Sequence, residues 1–176
     1  MSEKIKILRI INRFNLGGPT YNATFLSAFV SDQFETKLIG GNHEEYEGDS
    51  LFIPHKYGVK PQVIESLQRE INFKKDRAAY REIREIIKEF KPDIVHTHAS
   101  KSGAIGRLAA FKENVPVVIH TFHGHVFHSY FGNLKTKFYK IVERYLAKKS
   151  SAIVVISNLQ KKELVQEHKI IKNDKA

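Results

Sequence analysis

The sequence contains no cysteine. A disulfide framework, a zinc site built on thiolates and a cysteine nucleophile are therefore excluded. Long hydrophobic runs are also missing, since those present, such as residues 152–156, are far too short to cross a bilayer. The amino terminus enters a predicted strand at once, without the apolar core and cleavage site of a signal peptide, so we expect a cytoplasmic protein.

The charge is strongly unbalanced, with 29 lysines and arginines against 19 acidic residues, a net charge of +10 and a pI near 9.7. Such an excess favours anionic partners such as nucleic acid, lipid headgroups or phosphorylated substrates, although a basic surface that only keeps the protein soluble explains it equally well. No arginine-rich tract or nucleic-acid motif occurs. We therefore expect no nucleic-acid partner.

Hydrophobic periodicity predicts strands that alternate with helices along the whole chain. The predicted strands are residues 6–11, 34–39, 51–53, 94–97, 117–122 and 152–156, and the predicted helices are residues 20–30, 61–71, 76–90, 102–111, 134–148 and 158–168. Because this alternation requires right-handed crossovers, we expect a Rossmann-like three-layer α/β/α domain with a mostly parallel sheet. The domain is predicted to span residues 1–168, with residues 169–176 as a polar tail or the start of an interdomain linker.

Helices 20–30, 76–90 and 134–148 each carry apolar residues on one face, and the spacing on helix 134–148 is that of a core-facing stripe. The stripe of helix 20–30 consists of Tyr21, Phe25, Leu26 and Phe29. The stripe of helix 134–148 consists of Phe138, Ile141, Val142, Tyr145 and Leu146. With that second stripe inside, only the aromatic residues of loop 126–131 and the lysines of the helix remain for a peripheral contact with an anionic membrane.

Histidines lie where two neighbouring predicted strands end. His96 and His98 follow the apolar run of the fourth strand, and His123 with Gly124 follows the fifth. Ligands of open α/β sheets bind at this carboxyl edge. His123 has the chemistry of a general acid or base, or of a hydrogen-bond donor to a hydroxyl, and Gly124 lets the chain turn sharply under a ligand.

His96 and His98 are two residues apart and therefore face the same side of their strand. Such a pair can in principle chelate a metal, but a catalytic site needs a third ligand. The candidates for that ligand are His120, His123, His125 and His128. We expect instead that His96 is hydrogen-bonded inside the sheet and that His98 faces the ligand-binding cleft.

A glycine turn, Gly17-Gly18-Pro19, follows the first strand and precedes a helix. Glycines here let the backbone approach a phosphate or sugar closely, and the helix amino terminus offers amide donors. The alternative is a tight turn that needs positive φ. Two glycines alone do not decide between these explanations, because the dinucleotide pattern G-x-G-x-x-G is absent.

Three polar residues near the same edge each have two explanations. Lys101 and Arg107 flank the start of the helix after His98, where they would attract an anionic group or form a solvated basic face. Ser157 ends the last strand, where it would contact a ligand or cap the following helix.

The turn at Gly17, the stretch 91–103 (KPDIVHTHASKSG) and the stretch 117–125 (VVIHTFHGH) resemble the amino-terminal domain of the group-1 family of retaining glycosyltransferases, which have the two-domain GT-B fold. The resemblance implies transfer of a sugar from a nucleotide-sugar donor, a UDP- or GDP-sugar, with neither metal nor other cofactor. It makes His123 the catalytic residue, which contacts the transferred sugar. The donor- or acceptor-binding residues that we expect are Gly17, Gly18, Pro19, His98, Lys101, Gly124 and Ser157.

The resemblance also implies a cell-surface glycan or lipid-linked acceptor, and a protein that is cytoplasmic or peripheral on the inner membrane face. It covers the amino-terminal half of such an enzyme, so we expect a missing carboxy-terminal domain with most donor contacts and a chain that is inactive alone. Two alternatives remain open. They are half of a sugar-nucleotide epimerase and a stand-alone basic binding module for nucleotide, RNA or a protein partner.

Overall fold

The computed structural model describes residues 3–124 and 133–175, which form an α/β domain on a six-stranded sheet. The strands are β1 (Ile5–Arg13), β2 (Phe34–Gly41), β3 (Gln62–Val63), β4 (Ile94–His98), β5 (Val117–Phe122) and β6 (Ala152–Val155). The helices are α1 (Gly18–Ala28), α2 (Phe52–Lys56), α3 (Phe73–Phe90), α4 (Ser100–Lys112), α5 (Asn133–Lys149) and α6 (Asn158–Lys162). Neighbouring strands of the sheet run parallel, which confirms the predicted Rossmann-like fold.

In the strand order β3-β2-β1-β4-β5-β6, the direction in which successive strands are added to the sheet reverses at β1. The chain moves outward from β1 through β2 and β3 and then returns to lay β4 on the other side of β1. In open parallel sheets, ligands bind in the crevice outside the carboxyl ends of the strands at such a reversal. The ends of β1, β4 and β5 therefore mark the position of a candidate site.

The main core lies between one face of the sheet and helices α3 and α4. Leu8, Val95 and Val118 are paired across β1, β4 and β5, so their side chains share a face. They form one buried cluster with Ile83 of α3 and Ala109 of α4. Burial of apolar surface in such a cluster stabilises the fold by about 25 cal/mol for each Å² removed from water.

Helix α3 starts three residues before the predicted start at Asp76. The side chain of Asn72 accepts hydrogen bonds from the backbone N–H groups of Lys74 and Lys75, each at 3.1 Å. Asp76 in turn accepts from the backbone N–H of Asn72 at 3.2 Å. Asn72 is therefore the residue that caps the helix, and Asp76 supports it from within the first turn.

The apolar face that the sequence indicates on α1 does not face the core. Thr20, Ala23, Thr24 and Ser27 are the buried residues of this helix, whereas Phe29 is 71% exposed. The small side chains let α1 lie close to the sheet, where Ala23 packs with the core residues of β1 and β2. The aromatic rings instead pack sideways in a row, Tyr21 on Phe25 and Phe25 on Phe29, with Tyr57 beside them.

The predicted inward stripe of α5 is also largely wrong. Phe138 and Ile141 are 63% and 62% exposed, and Tyr145 is about half exposed. Leu146 is buried as predicted, and Glu143 and Ala147, which were not part of the stripe, are buried as well. Glu143 is held inside by an ion pair with Arg107 of α4, and this pair sets the rotation of α5 about its axis.

Three other predictions are wrong in detail. Residues 51–53 belong to the start of α2 rather than to a strand, and residues 61–71 contain β3 rather than a helix. The last helix stops at Lys162 and continues as a π-helical turn, Glu163–Glu167.

Residues 169–175 pack against the domain instead of forming a polar tail. Ile170 and Ile171 are buried beside Ala147 and Ile153. The ammonium of Lys175 donates to the backbone oxygens of residues 148 and 150, each at 2.8 Å, and so satisfies carbonyl groups at the end of α5. The aromatic loop 126–131 lies outside the described residues. In residues 3–124 and 133–175, no helix is long and apolar enough to cross a membrane.

Candidate active site at the carboxyl edge of the sheet

The ends of β4 and β5 bring His98 and His123 into direct contact. Nδ1 of His98 lies 2.8 Å from Nε2 of His123, and the two ring planes are inclined by 25° with their centroids 5.1 Å apart. His98 is fully buried and His123 is half-buried. The expectation that His98 faces the cleft is therefore wrong, because its side chain is fully buried.

The other two strand histidines are hydrogen-bonded inside the sheet. Nε2 of His96 lies 2.8 Å from Oγ1 of Thr121, which agrees with the structural role expected for His96. Nδ1 of His120 lies 2.9 Å from Oγ1 of Thr97. Within the described residues, no three histidine or carboxylate side chains are grouped closely enough to hold one metal ion.

Burial keeps all four of these histidines neutral at neutral pH. It lowers the pKa of His96 to about 3, with a further contribution from the positive charge of Arg9. Burial also lowers the pKa of His98 and of His120 well below the usual value. The pKa of His123 is lowered for the same reason. A neutral imidazole has one donor nitrogen and one acceptor nitrogen, so each ring has a defined polarity.

Arg9 is a buried cation next to the histidines that sequence reasoning did not single out. It pairs with His96 across β1 and β4 and is 4% exposed. Burial lowers its pKa to about 10, so the guanidinium still carries its charge at neutral pH. Its Nε and Nη1 have no hydrogen-bond partner among the described residues. The sequence signal that could have identified Arg9 was its position inside a run of apolar residues.

The glycine turn leaves open space at the same edge. A Cβ added at Gly18 would meet no atom within 4 Å, and one added at Gly17 would meet only the Cδ of Pro19, at 3.7 Å. Gly17 has φ 169°, which is extended backbone that any residue adopts. Neither packing nor a positive φ therefore explains these glycines. The tight-turn explanation, which requires a positive φ, does not apply.

Gly124 and Ser157 are both hydrogen-bonded to Gln160. Gly124 has φ 146°, a conformation that favours glycine, and its carbonyl accepts from Nε2 of Gln160 at 2.7 Å. Ser157 Oγ accepts from the backbone N–H of Gln160 at 3.1 Å and so caps α6. The cap accounts for Ser157 without a ligand, and Gln160 holds the turn after β5 against the start of α6.

The two basic residues near the start of α4 already have protein partners. The ammonium of Lys101 lies 2.5 Å from Oδ1 of Asp76 and also contacts the carbonyl of Glu70. Arg107 lies in the middle of α4, and its side chain points into the core, where it pairs with Glu143. Arg107 is therefore a structural residue, and Lys101 would have to leave Asp76 to bind an anion.

Comparison with known proteins gives the family. Residues 17–175 match the family described as Glycosyltransferase Family 4. The chain belongs to this family. It is also 33% identical over 140 residues to an *Escherichia coli* protein named UDP-Gal:alpha-D-GlcNAc-diphosphoundecaprenol alpha-1,3-galactosyltransferase, a match that covers 78% of the chain. The same match covers 34% of the relative, so the chain corresponds to about a third of it.

Solved structures share the fold of the family 4 domain. A glycosyltransferase from *Rickettsia africae* superposes with a TM-score of 0.71 at 22% identity, covering 99% of this chain and 42% of the other. A UDP-GlcNAc 2-epimerase from *Neisseria meningitidis* gives 0.68 at 16% identity, covering 97% and 44%. Sucrose-phosphate synthase from *Thermosynechococcus elongatus* gives 0.68 at 14% identity, covering 92% and 44%. These likenesses show the fold, which glycosyltransferases and epimerases have in common.

A strained residue at the start of α4 completes the edge of the family 4 domain. Ala99 has φ 63°, a left-handed conformation that is uncommon for a residue with a Cβ. It directly follows His98 and precedes a helix that has no side-chain cap. No sequence pattern identified Ala99. The backbone bend at Ala99 lets α4 begin immediately beyond the His98–His123 contact.

Proposed function

We propose that the protein to which this family 4 domain belongs transfers a sugar from a nucleotide-sugar donor to a lipid-linked or cell-surface glycan acceptor, with retention of configuration. The observation that carries the proposal is the half-buried, neutral imidazole of His123 at the carboxyl edge of β5. A neutral imidazole at this edge suits hydrogen bonding to a sugar hydroxyl. The *E. coli* relative is named for transfer to a diphosphoundecaprenol-linked sugar, which favours a lipid-linked acceptor here.

In this proposal each site residue has a role toward donor or acceptor. His123 contacts the transferred sugar, and the open turn at Gly17, Gly18 and Pro19 lets the substrate approach the backbone closely. Gly124 shapes the turn beneath the sugar. Lys101 binds an anionic group after exchanging its bond to Asp76, while His98 and Ser157 act through the groups that they contact.

The donor is best supported as a UDP-sugar. The *E. coli* relative is named for UDP-Gal, and the *N. meningitidis* epimerase of the same fold was solved with UDP-GlcNAc. We propose that a carboxy-terminal domain outside this chain supplies most donor contacts, and that the chain alone does not catalyse transfer. Transition-state stabilisation in such a protein depends on holding donor and acceptor together in one cleft.

We also propose a peripheral contact with an anionic membrane on the cytoplasmic side. Helix α5 exposes Phe138 and Ile141 beside its basic residues. The described charged side chains of α5 are basic except Glu143, which is buried in its ion pair; the exposed ones are Lys137, Arg144, Lys148 and Lys149. An exposed apolar strip flanked by cations is typical of helices that lie in a lipid interface.

The direct test is a transfer assay on the full-length protein and its His123→Ala variant. We expect incorporation of sugar from a labelled UDP-sugar into a diphosphoundecaprenol-linked acceptor, and a loss of about two orders of magnitude or more in the variant. The midpoint of thermal unfolding should change little, because His123 is only half-buried. Unchanged turnover in the variant would remove His123 from the site.

The epimerase alternative rests on the fold that the *N. meningitidis* enzyme shares with this chain. It predicts isomerisation of the UDP-sugar without any acceptor, which the same assay detects when the acceptor is left out. A stand-alone binding module predicts affinity without turnover. If that module bound RNA, affinity would fall steeply with salt.

A further inference from the structure

We infer that His98 donates a hydrogen bond from Nδ1 to Nε2 of His123 and thereby holds His123 in the tautomer that carries its hydrogen on Nδ1. The two nitrogens are 2.8 Å apart, so one hydrogen lies between them. Because both rings are neutral, one nitrogen of the contact must donate and the other must accept. The direction of this bond decides which side of His123 is a donor.

The surroundings of His98 decide the direction. Its other ring nitrogen, Nε2, is buried and has no hydrogen-bond partner among the described residues. A buried N–H without an acceptor is rarer and less favourable than an unused lone pair. The hydrogen of His98 therefore belongs on Nδ1, facing His123, and Nε2 keeps its lone pair.

The ring of His98 is neutral. Burial, the two neighbouring histidines and the charge of Arg9 lower its pKa, so only one of its nitrogens carries a hydrogen. Arg9 lies on β1 beside His96. The other titratable groups that act on His98 are His96 and His123, and neither supplies a negative charge.

The ring of His98 is also held in place. It contacts two other imidazole rings, with its centroid 4.3 Å from that of His96 and 5.1 Å from that of His123. Its backbone carbonyl accepts from the hydroxyl of Ser102, and the left-handed Ala99 follows directly. His98 is fully buried, so no water competes for Nδ1. The donor therefore has a fixed position from which to orient His123.

The consequence for ligand binding depends on the proposed function. With Nε2 of His123 occupied by His98, the nitrogen left for a ligand is Nδ1, and it carries the hydrogen. His123 then donates to an oxygen of the bound nucleotide sugar and does not accept a proton from the acceptor. In this arrangement His98 is a positioning residue that acts through His123.

The tautomers can be read directly by NMR of the protein labelled with ¹⁵N-histidine. The chain has nine histidines, and single variants assign His98 and His123. Protonated and unprotonated nitrogens of a neutral imidazole have widely separated shifts, and couplings to the ring carbon-bound hydrogens distinguish Nδ1 from Nε2. We expect the hydrogen on Nδ1 in both residues. Wild-type His123 with its hydrogen on Nε2 would overturn the inference even if no variant folds.

Two substitutions of His98 and one control extend the test. In His98→Leu the donor is lost, and we expect His123 to change to the Nε2–H tautomer that free histidine prefers. In His98→Asn the amide can still donate from near the position of Nδ1, so the tautomer should be retained. His120→Gln, which replaces another buried histidine, should leave His123 unchanged. An unchanged His123 in His98→Leu would contradict the inference.

Transfer kinetics separate this inference from the proposed function. In the full-length protein we expect His98→Leu to lower kcat about tenfold or more, while His98→Asn stays within about threefold of wild type. A full-length protein that transfers no sugar would count against the proposed function, while the tautomer result would still decide the inference. Equal kcat in His98→Leu and wild type would refute the positioning role.

Discussion

Arg107 of α4 and Glu143 of α5 form a buried ion pair, with 2.7 Å between Nη2 and Oε2. Nε of Arg107 also donates to the carbonyl of Gly103 at 2.8 Å. Burial lowers the pKa of Arg107, and the neighbouring Glu143 carboxylate partly offsets that effect. The pair joins two neighbouring helices and determines which side of α5 faces inward.

Removing one partner of this pair should be strongly destabilising. Glu143→Gln leaves the buried guanidinium without its counter-charge, and we expect a loss of about 3–5 kcal/mol in the free energy of unfolding, measured by urea denaturation. Glu85→Gln is the matched control, because Glu85 pairs with Lys88 on the surface and should have little effect. A Glu143→Gln protein as stable as wild type would mean that the pair does not hold α5.

Acid should destabilise the fold through the buried histidines. The unfolded chain binds protons on these histidines below about pH 6.5, whereas His96 in the folded protein stays neutral down to about pH 3. Stability is therefore lost as the pH falls below about 6.5, by up to about 1.4 kcal/mol per pH unit for each such histidine.

Urea unfolding between about pH 7.5 and 5 measures this effect. His96→Gln removes one of the titrating groups, so its unfolding free energy should fall less steeply with decreasing pH than that of wild type. Phe29→Ser, an exposed substitution that removes no titrating group, is the control and should keep the wild-type slope. Equal slopes in wild type and His96→Gln would contradict the buried neutral state of His96.

Substitutions on the two sides of α1 should differ in how much they destabilise the fold. Ala23 is fully buried beside the sheet, so Ala23→Leu overfills a packed contact and should cost about 1–3 kcal/mol. Phe29 is largely exposed, and Phe29→Ser should change stability by no more than about 0.5 kcal/mol. Thermal unfolding of both variants measures the difference. If Phe29→Ser were strongly destabilising and Ala23→Leu were not, the aromatic side of α1 would be the inward face.

The exposed strip of α5 should bind anionic vesicles. We expect the protein to sediment with phosphatidylglycerol-containing vesicles, less so with added salt, and not with phosphatidylcholine alone. The double variant Phe138→Ser, Ile141→Ser should bind more weakly. Phe73→Ser, which replaces an aromatic residue of α3 that is 81% exposed, is the control. Equal binding by wild type and the double variant would show that Phe138 and Ile141 do not contact the vesicle.

Some of the site followed from short-range sequence patterns. The bounds of β5 agree with the prediction residue for residue, and β4 differs by one residue. Both are β-branched runs with clear ends, so their carboxyl edge, and with it the placement of His98 and His123 on neighbouring strands, was accessible from sequence. The short elements α2 and β3 were not, because pieces of five and two residues carry too little periodicity to identify.

The sequence by itself determined the alternation of the longer strands and helices, the parallel sheet and the strand ends that carry the histidines, because these follow from local periodicity and crossover rules. Only the tertiary structure decided which side of α1 and α5 faces inward, since a helix rotates to suit its partners. In α1 the side with the small residue Ala23 faces the sheet. In α5 the side with Glu143 faces inward because Glu143 pairs with a buried arginine. The contact between His98 and His123 was likewise a tertiary outcome, because it depends on the register of two strands 25 residues apart.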